Sequence, residues 1–281
     1  MRESKPSHVR TVIAYIVLIF LAFLCLFFFY VLLVNCTRDH FSIQKGFSAI
    51  PGDHFITNFK NVLADANVPI LSGLKNSLLV SGLAALLATY FSCMTAYGIY
   101  AYDFKLRKFA FVFILLIMTM PTQVTALGFI KLVEKMSLLD TLVPLYVPSI
   151  AAPVVFYFMY SYMQSSLPME LVEAARIDGS NEMHTFNFIV LPLMKPAIAV
   201  QAIFTFVSSW NNYFMPALVL TSKKKQTLPI LIAALRSADF LKFDQGKVYM
   251  LITMAIVPII VIYILLSKYI VSGVTLGGVK G

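Results

Sequence analysis

Glu170, Glu173, Arg176 and Asp178, with Glu182 just beyond, form a dense cluster of ionisable side chains in a 281-residue chain of which only 12% is charged. They lie in Leu167-Pro168-Met169-Glu170-Leu171-Val172-Glu173-Ala174-Ala175-Arg176-Ile177-Asp178-Gly179, between two long apolar segments, and Leu191-Pro192 follows. No lipid-facing role suits such a segment, and its local signals are too ordered for a slack linker. The chemistry on offer is recognition by a soluble partner. Pro168 suits a first helical turn, and Glu170 places negative charge near the positive end of the helix dipole. Leu171, Ala174, Ala175 and Ile177 can share one face, flanked by Glu173 and Arg176. The two alanines would let a partner backbone approach closely. Asp178 can fix a turn through its side chain, Gly179 can end the helix in a left-handed conformation, and Ser180 can cap a second helix. The competing reading is an amphipathic helix in the lipid headgroups. It fits poorly, because the apolar face is small and the segment is not basic.

The elements that must position this insert are membrane spans. With 59% hydrophobic residues the chain is far from a soluble domain. Six apolar windows, approximately 12–34, 76–98, 109–130, 142–164, 197–220 and 248–267, are each long enough to cross the hydrocarbon as a helix. The first follows Arg2, Lys5 and Arg10 without a small-residue cleavage site, so it reads as an uncleaved anchor. A polar stretch from Thr37 to Lys75 and another from Ser222 to Lys247 are the long connections. An even number of spans puts both termini on the side of the insert. Basic residues are nearly balanced between the two sides. The short Lys105-Leu106-Arg107-Lys108 loop and the N-terminal basic trio favour that side as the cytoplasm. The net charge of +9, in so apolar a chain, belongs to span flanks facing anionic headgroups rather than to nucleic acid.

None of the six windows contains Asp, Glu, Lys, Arg or His. Proton- and ion-coupled carriers commonly place such groups within the membrane, although sodium can be held by carbonyls and hydroxyls alone. The sequence has no HExxH or GxSxG motif, and His8, His40, His54 and His184 are scattered. Gly273-Val274-Thr275-Leu276-Gly277-Gly278-Val279-Lys280 fails as a phosphate loop, because Val279 stands where lysine is needed and no Ser or Thr follows. Cys25, Cys36 and Cys93 make no CxxC pair and suggest neither a disulfide framework nor a zinc site. Energy for any uphill transport would therefore have to come from another polypeptide, and no cofactor or metal is expected on this chain.

The windows do hold neutral polar and helix-breaking residues. Pro121, Pro148, Pro153, Pro216 and Pro258 lie in or near spans, where freed carbonyls need partners or a water-lined cavity. Thr119, Thr122, Gln123 and Thr125 surround Pro121, and Gln201 and Ser208-Ser209-Trp210-Asn211-Asn212-Tyr213 lie in the fifth window. Such groups beside aromatic rings suit an uncharged polyhydroxylated solute, with Gln123, Asn211 and Asn212 as pathway candidates. The same groups equally serve to glue helices together.

Glu173-Ala174-Ala175, Gly179 three residues after Arg176, and Leu191-Pro192 resemble the "EAA" signature of permease subunits in bacterial binding-protein-dependent ABC importers. Trp210-Asn211-Asn212-Tyr213 with Pro216, Thr227-Leu228-Pro229 and the C-terminal Gly273–Gly281 run resemble the sugar-transport branch, in the subunit type of the maltose permease's G component. The resemblance covers the second span to the end; the first 70 residues add little. It implies an all-α, polytopic (MetI-like) permease fold with six transmembrane helices and a cytoplasmic coupling-helix insert at 168–192. It implies ATPase coupling by Glu173, Ala174, Ala175, Asp178, Gly179, Leu191 and Pro192, and a second ATPase contact by Gly277, Gly278 and Lys280. The implied partners are a second, different permease subunit, a dimeric ATPase that uses ATP and magnesium, and an extracellular or periplasmic sugar-binding protein. The chain would not itself be an enzyme. The implied location is the bacterial cytoplasmic membrane with both termini cytoplasmic. Against this stand a self-sufficient facilitator or sodium-coupled carrier for a neutral solute and, less compatible with the residues, a membrane-embedded enzyme.

Overall fold

The computed structural model describes residues 8–65, 68–236 and 244–277, which are helical with connecting turns and contain no strand. The chain divides into two compact units, Met1–Val68 with Ile232–Ile256, and Pro69–Leu231 with Val257–Gly281. The first holds α1 (His8–Asn35), α2 (His40–Gln44) and α3 (Phe55–Ala64), together with the start of the last helix. Within Arg10–Asn35 of α1 the most apolar 18-residue stretch has a mean hydropathy of 3.2 and none of it is buried inside the chain, whereas Val34 and Asn35 at the helix end are buried. A helix apolar on every side and exposed on every side is built for lipid.

Where α1 ends the environment changes to a polar knot. Arg38 is 9% exposed. Its guanidinium donates to Asn35 Oδ1 and to the Gly46 carbonyl, both at 3.0 Å, and to the Ser42 carbonyl. Asp39 caps α2 by accepting the Phe41 and Ser42 N–H groups, and the Asn58 amide donates to the Cys36 and Arg38 carbonyls at 2.9 Å each. A Cβ on Gly246 would stand 2.6 Å from the Arg38 carbonyl, so only glycine fits there. The Lys247–Asp65 ion pair completes the set. Buried polar groups that all find partners fix one geometry.

The second unit is organised by α4 (Ile70–Ala101). Its buried positions include Gly73, Ser77, Ser81, Ala84, Ala88, Ser92 and Ala96, at intervals of three or four residues. Small residues at that spacing let helix backbones approach closely, which is how helices associate where lipid offers no hydrophobic drive. α5 (Arg107–Met118), α6 (Thr122–Lys135) and α7 (Val143–Tyr146) follow; α7 runs through a 3₁₀ turn to α8 (Pro153–Ser166). Then come α9 (Met169–Ile177), α10 (Glu182–Thr185), α11 (Leu191–Leu193), α12 (Lys195–Trp210), α13 (Phe214–Val219) and α14 (Leu228–Arg236), and α15 (Gln245–Gly277) closes the chain. The small face of α4 packs mainly against α12 and α8. Phe156, Met159, Met163, Phe186 and Met194 fill the core at one end of these helices.

Among the described residues, four helices are long and apolar enough to cross a membrane singly: Arg10–Asn35, Ile70–Ala101, Val143–Ser166 and Gln245–Ser267. The count reaches six if two bent pairs are each one span. The windows at 109–130 and 197–220, read from sequence as plain spans, are broken helices. Between α5 and α6 the chain turns by 100° at Thr119–Pro121, because Pro121 lacks an N–H and disfavours helical geometry in the residue before it. The other pair, Glu182–Leu193 with Lys195–Trp210, is bent by 80°. Within the 197–220 window α12 stops at Trp210, and Asn212 Oδ1 accepts the Met215 N–H at 3.3 Å near the start of α13.

Candidate functional site

The insert begins one residue before α9. Pro168 precedes the helix and Glu170 occupies its first turn. The C-terminus closes as a Schellman motif: Ser180 N–H donates to the Ala175 carbonyl at 2.9 Å and Gly179 N–H to the Arg176 carbonyl at 3.1 Å. Gly179 has φ +80°, a conformation costing a side-chain-bearing residue about 1–2 kcal/mol. Asn181, rather than Ser180, caps the next helix, accepting the His184 N–H at 2.8 Å. Ser180 instead has its hydroxyl 3.2 Å from His184 Nδ1 and accepts a hydrogen bond from Thr185. The chain then runs helically from Glu182 to Leu193 through a π turn at Phe186–Val190, where Leu191 N–H reaches back to the Phe186 carbonyl. This wider turn immediately precedes Pro192, which has no N–H to offer Phe188 and whose ring would crowd that carbonyl in a regular helix.

The faces of α9 differ from the sequence reading. Val172 and Ala175 point inward, at 0% and 6% exposure. Glu173, Ala174 and Asp178 are exposed, Leu171 is 45% exposed and Ile177 reaches 86%. The two alanines therefore do different work: Ala175 packs inside this chain and Ala174 remains available on its surface. Pro192 is exposed and Leu191 packs partly against the core. Met183 and Phe188 are exposed, apolar neighbours on the following helix.

Arg176 and Glu182 of the charged cluster, with tyrosines that the sequence did not single out, hold the insert to the bundle. Arg176 makes a two-pronged contact with Glu182, Nε to Oε1 at 2.9 Å and Nη2 to Oε2 at 3.4 Å. Tyr97 donates its hydroxyl to Glu182 Oε2 at 3.2 Å, and the Arg176 guanidinium carbon lies 5.1 Å from the centre of the Tyr102 ring. Tyr90 donates to Asn187 Oδ1 at 3.1 Å and Tyr100 to the Leu167 carbonyl at 3.2 Å. The Tyr102 hydroxyl and the Arg176 guanidinium hold the Glu182 carboxyl below its ordinary pKa, and Glu182 in turn raises that of Arg176. Burial and the nearby Glu182 carboxylate raise the Tyr102 phenol. The four tyrosines between positions 90 and 102 were a readable signal. Their meaning depends on the Gly179 turn, which brings Arg176 and Glu182 together.

At the opposite end of α4 a different device holds the Ser222–Gln226 loop. Asp140, with φ +54°, accepts the Thr221 and Ser222 N–H groups at 3.0 and 2.9 Å, the Ser222 hydroxyl at 2.5 Å and Lys225 Nζ at 3.2 Å. Lys225 also donates to the Asp140 carbonyl at 2.7 Å. These donors, the Ser222 hydroxyl and N–H foremost, pull the Asp140 carboxyl well below the usual carboxylate range. Asn76 donates to the Lys224 and Gln226 carbonyls at 3.0 Å each, and Ser77 Oγ accepts the Leu228 N–H at 2.8 Å.

Of the pathway candidates, Asn212 lines two cavities. One, of about 290 Å³, has Thr122, Thr125, Phe129, Ser209 and Pro216 in its wall. The other, of about 400 Å³, has Ser149, Gln201, Phe204, Thr205 and Ser208. Gln123 and Asn211 are exposed and line neither. Every lining side chain of both cavities is uncharged. Gly277 ends α15, while Gly278 and Lys280 lie outside the described residues.

The family of binding-protein-dependent transport system inner membrane components matches residues 88–275. The chain is 34% identical to the arabinooligosaccharides transport system permease protein AraQ of Halalkalibacterium halodurans, over 99% of this chain and all of that protein. It is 30% identical to the trehalose/maltose transport system permease protein MalG of Thermococcus litoralis over the full length of both. Its fold superposes with a TM-score of 0.80, at 20% identity and covering 96% and 99% of the two chains, on a chain of a bacterial ABC transporter that imports the acidic polysaccharide alginate. A polytopic helical chain, a charged insert carried between its apolar helices and a family match over two thirds of its length lead to one assignment: the protein belongs to the binding-protein-dependent transport system inner membrane components.

Proposed function

We propose that this chain is one of two different permease subunits of an ATP-driven importer for a neutral sugar or short oligosaccharide. The insert α9–α11 would be the element gripped by a separate dimeric ATPase in the cytoplasm, with both termini on that side. The observation that carries this reading is the exposed strip on α9. Glu173, Ala174 and Ile177 stand out, while Arg176 and Glu182 on the inner side join the insert to α4. A partner seated on that strip pushes on a piece whose internal turn is held by backbone hydrogen bonds, so displacement passes to α4 and not into bending of the insert. ATP and magnesium would belong to the partner. Leu191 and Pro192 would set where the insert rejoins α12, and Asp178 and Gly179 its turn. A tail contact through Gly277, Gly278 and Lys280 remains part of the proposal.

The solute class rests on the neutral, hydroxyl- and amide-bearing walls around Asn212 and on relatives that carry arabino-oligosaccharides, trehalose and maltose. Neutral hydrogen-bonding groups beside aromatic rings match a polyol and give a charged solute no counter-ion. Asn212, with Gln201 from the same wall, is the best pathway residue; Gln123 and Asn211 are weaker ones. A tagged chain should co-purify from native membranes with an ATPase, a second permease and an extracellular binding protein. That binding protein should be stabilised by arabino-oligosaccharides or maltose in a thermal-shift screen. Solute uptake into liposomes by this chain alone, without ATP, would instead establish a self-sufficient carrier.

A further inference from the structure

A third and larger cavity, about 750 Å³, lies in the second unit between the end of α4, the start of α5 and the last turns of α8. Lys105, Arg107 and Lys108 line it together with Phe104, Phe111 and Tyr160. Neither lysine nitrogen, nor the Arg107 guanidinium, has a carboxylate within ion-pairing distance among the described residues. Asp103 is the one acidic residue in the wall. Arg107 is held in place by donating Nη2 to the Tyr100 carbonyl at 3.3 Å. The start of α5 adds to the positive field, since Leu106 at its N-cap has no side-chain acceptor for the N–H groups of the first turn. Phe111 and Tyr160 meet in a tilted ring contact, their centroids 4.8 Å apart, and form an aromatic wall.

Three cations and three aromatic rings around one cavity describe a ligand that carries both an anionic group and an apolar part. Basic pockets between membrane helices take lipid headgroups in this way, and the volume suits a phosphate with its glycerol. We propose that this cavity binds the phosphodiester headgroup of an anionic phospholipid, with Lys105, Arg107 and Lys108 on the phosphate and the aromatic wall against the glycerol and upper acyl chain. Placing it in the cytoplasmic leaflet rests on the orientation given under Proposed function; the site itself does not.

The test uses the whole complex in nanodiscs of phosphatidylcholine alone or with phosphatidylglycerol. The wild-type complex should melt higher with phosphatidylglycerol and should retain that lipid in native mass spectrometry. Lys105→Gln with Lys108→Gln, two exposed positions, should lower apparent affinity for phosphatidylglycerol about thirtyfold, at about fivefold per cation. Lys131→Gln with Lys135→Gln, away from the cavity, should change nothing. Equal melting in both lipids, or a double variant that keeps the gain, overturns the proposal. So does inorganic phosphate reproducing the shift in phosphatidylcholine, which would make the site one for a free anion. Labelling of Lys105→Cys by an impermeant reagent from outside would overturn the orientation while leaving the lipid-binding result standing.

Discussion

The two ends of α4 are held by opposite means. At the Asn76–Ser77 end, the Ser222–Gln226 loop is tied largely through its own backbone, whose N–H groups and carbonyls meet Asp140, Asn76 and Ser77. At the Tyr97–Tyr102 end, the insert is joined side chain to side chain, through Arg176, Glu182 and the tyrosines. A loop stapled through its backbone keeps one shape whatever touches it. An insert that is rigid within itself and attached by a few side chains can move as one piece and pass on force. Its outer strip is left free for a partner, with Ile177 at 86% exposure.

The most damaging way to break this contrast is Gly179→Pro. Proline cannot adopt the φ of +80° found there, so the Schellman turn is lost. Solute uptake should fall to background while membrane insertion, checked by fractionation, is unchanged. Glu173→Lys should come next, reversing charge on the exposed strip without touching the fold. The purified complex should lose most solute-stimulated ATPase activity yet keep its thermal stability. Normal uptake by both variants would remove the insert from the coupling role.

Glu182→Gln addresses the join to α4. It leaves the Arg176 guanidinium over Tyr102 without its counter-charge. Because both side chains are partly exposed, screening limits the Arg176–Glu182 coupling to about 1 kcal/mol in a double-mutant cycle. ATPase activity should become partly uncoupled from uptake. An uncoupling equal to that of Glu173→Lys would mean that the join, and not the strip, is the critical element. The pH dependence of this pair has a defined sign. The Glu182 pKa is lowered on folding, so its stabilisation is fully present above the ordinary glutamate range. It is lost only as pH falls through the depressed folded value. Melting temperature followed between neutral and acidic pH should show a drop in the wild type that Glu182→Gln lacks.

The smallest effect on coupling is expected from Asp140→Asn. It should loosen the Ser222–Gln226 loop, seen as faster hydrogen exchange at Thr221 and Ser222, with basal ATPase activity unaltered. Loss of that activity would show that the two ends of α4 are not separable in the way their hydrogen bonding suggests.

Much of the molecule was legible beforehand because its determinants are local. About twenty predominantly apolar residues in a row make a membrane-length helix unless the chain breaks within them, as it does in 109–130 and 197–220. A glycine after a short amphipathic run and a polar residue beyond it mark a helix end and the next start. The turn at Gly179 therefore stood in the sequence, although the cap proved to be Asn181. Less local features were missed. Pro121 announced a break but not a 100° turn, whose angle depends on what the two halves pack against.

The amino-acid sequence alone settled the helical membrane class, the absence of charge in the six apolar windows, the position of the charged segment between them and, through its motif, the family. Those properties follow from composition and from contacts within a few residues. Which alanine faces out, which tyrosines grip the insert, and that Asn212 and Gln201 share a cavity while Gln123 does not, were decided only by tertiary structure. Each depends on helix rotation and on partners dozens of residues away, such as Tyr97 with Glu182. Rotation about a helix axis is fixed by packing, and in lipid a chain apolar on every face carries too weak a pattern to reveal it.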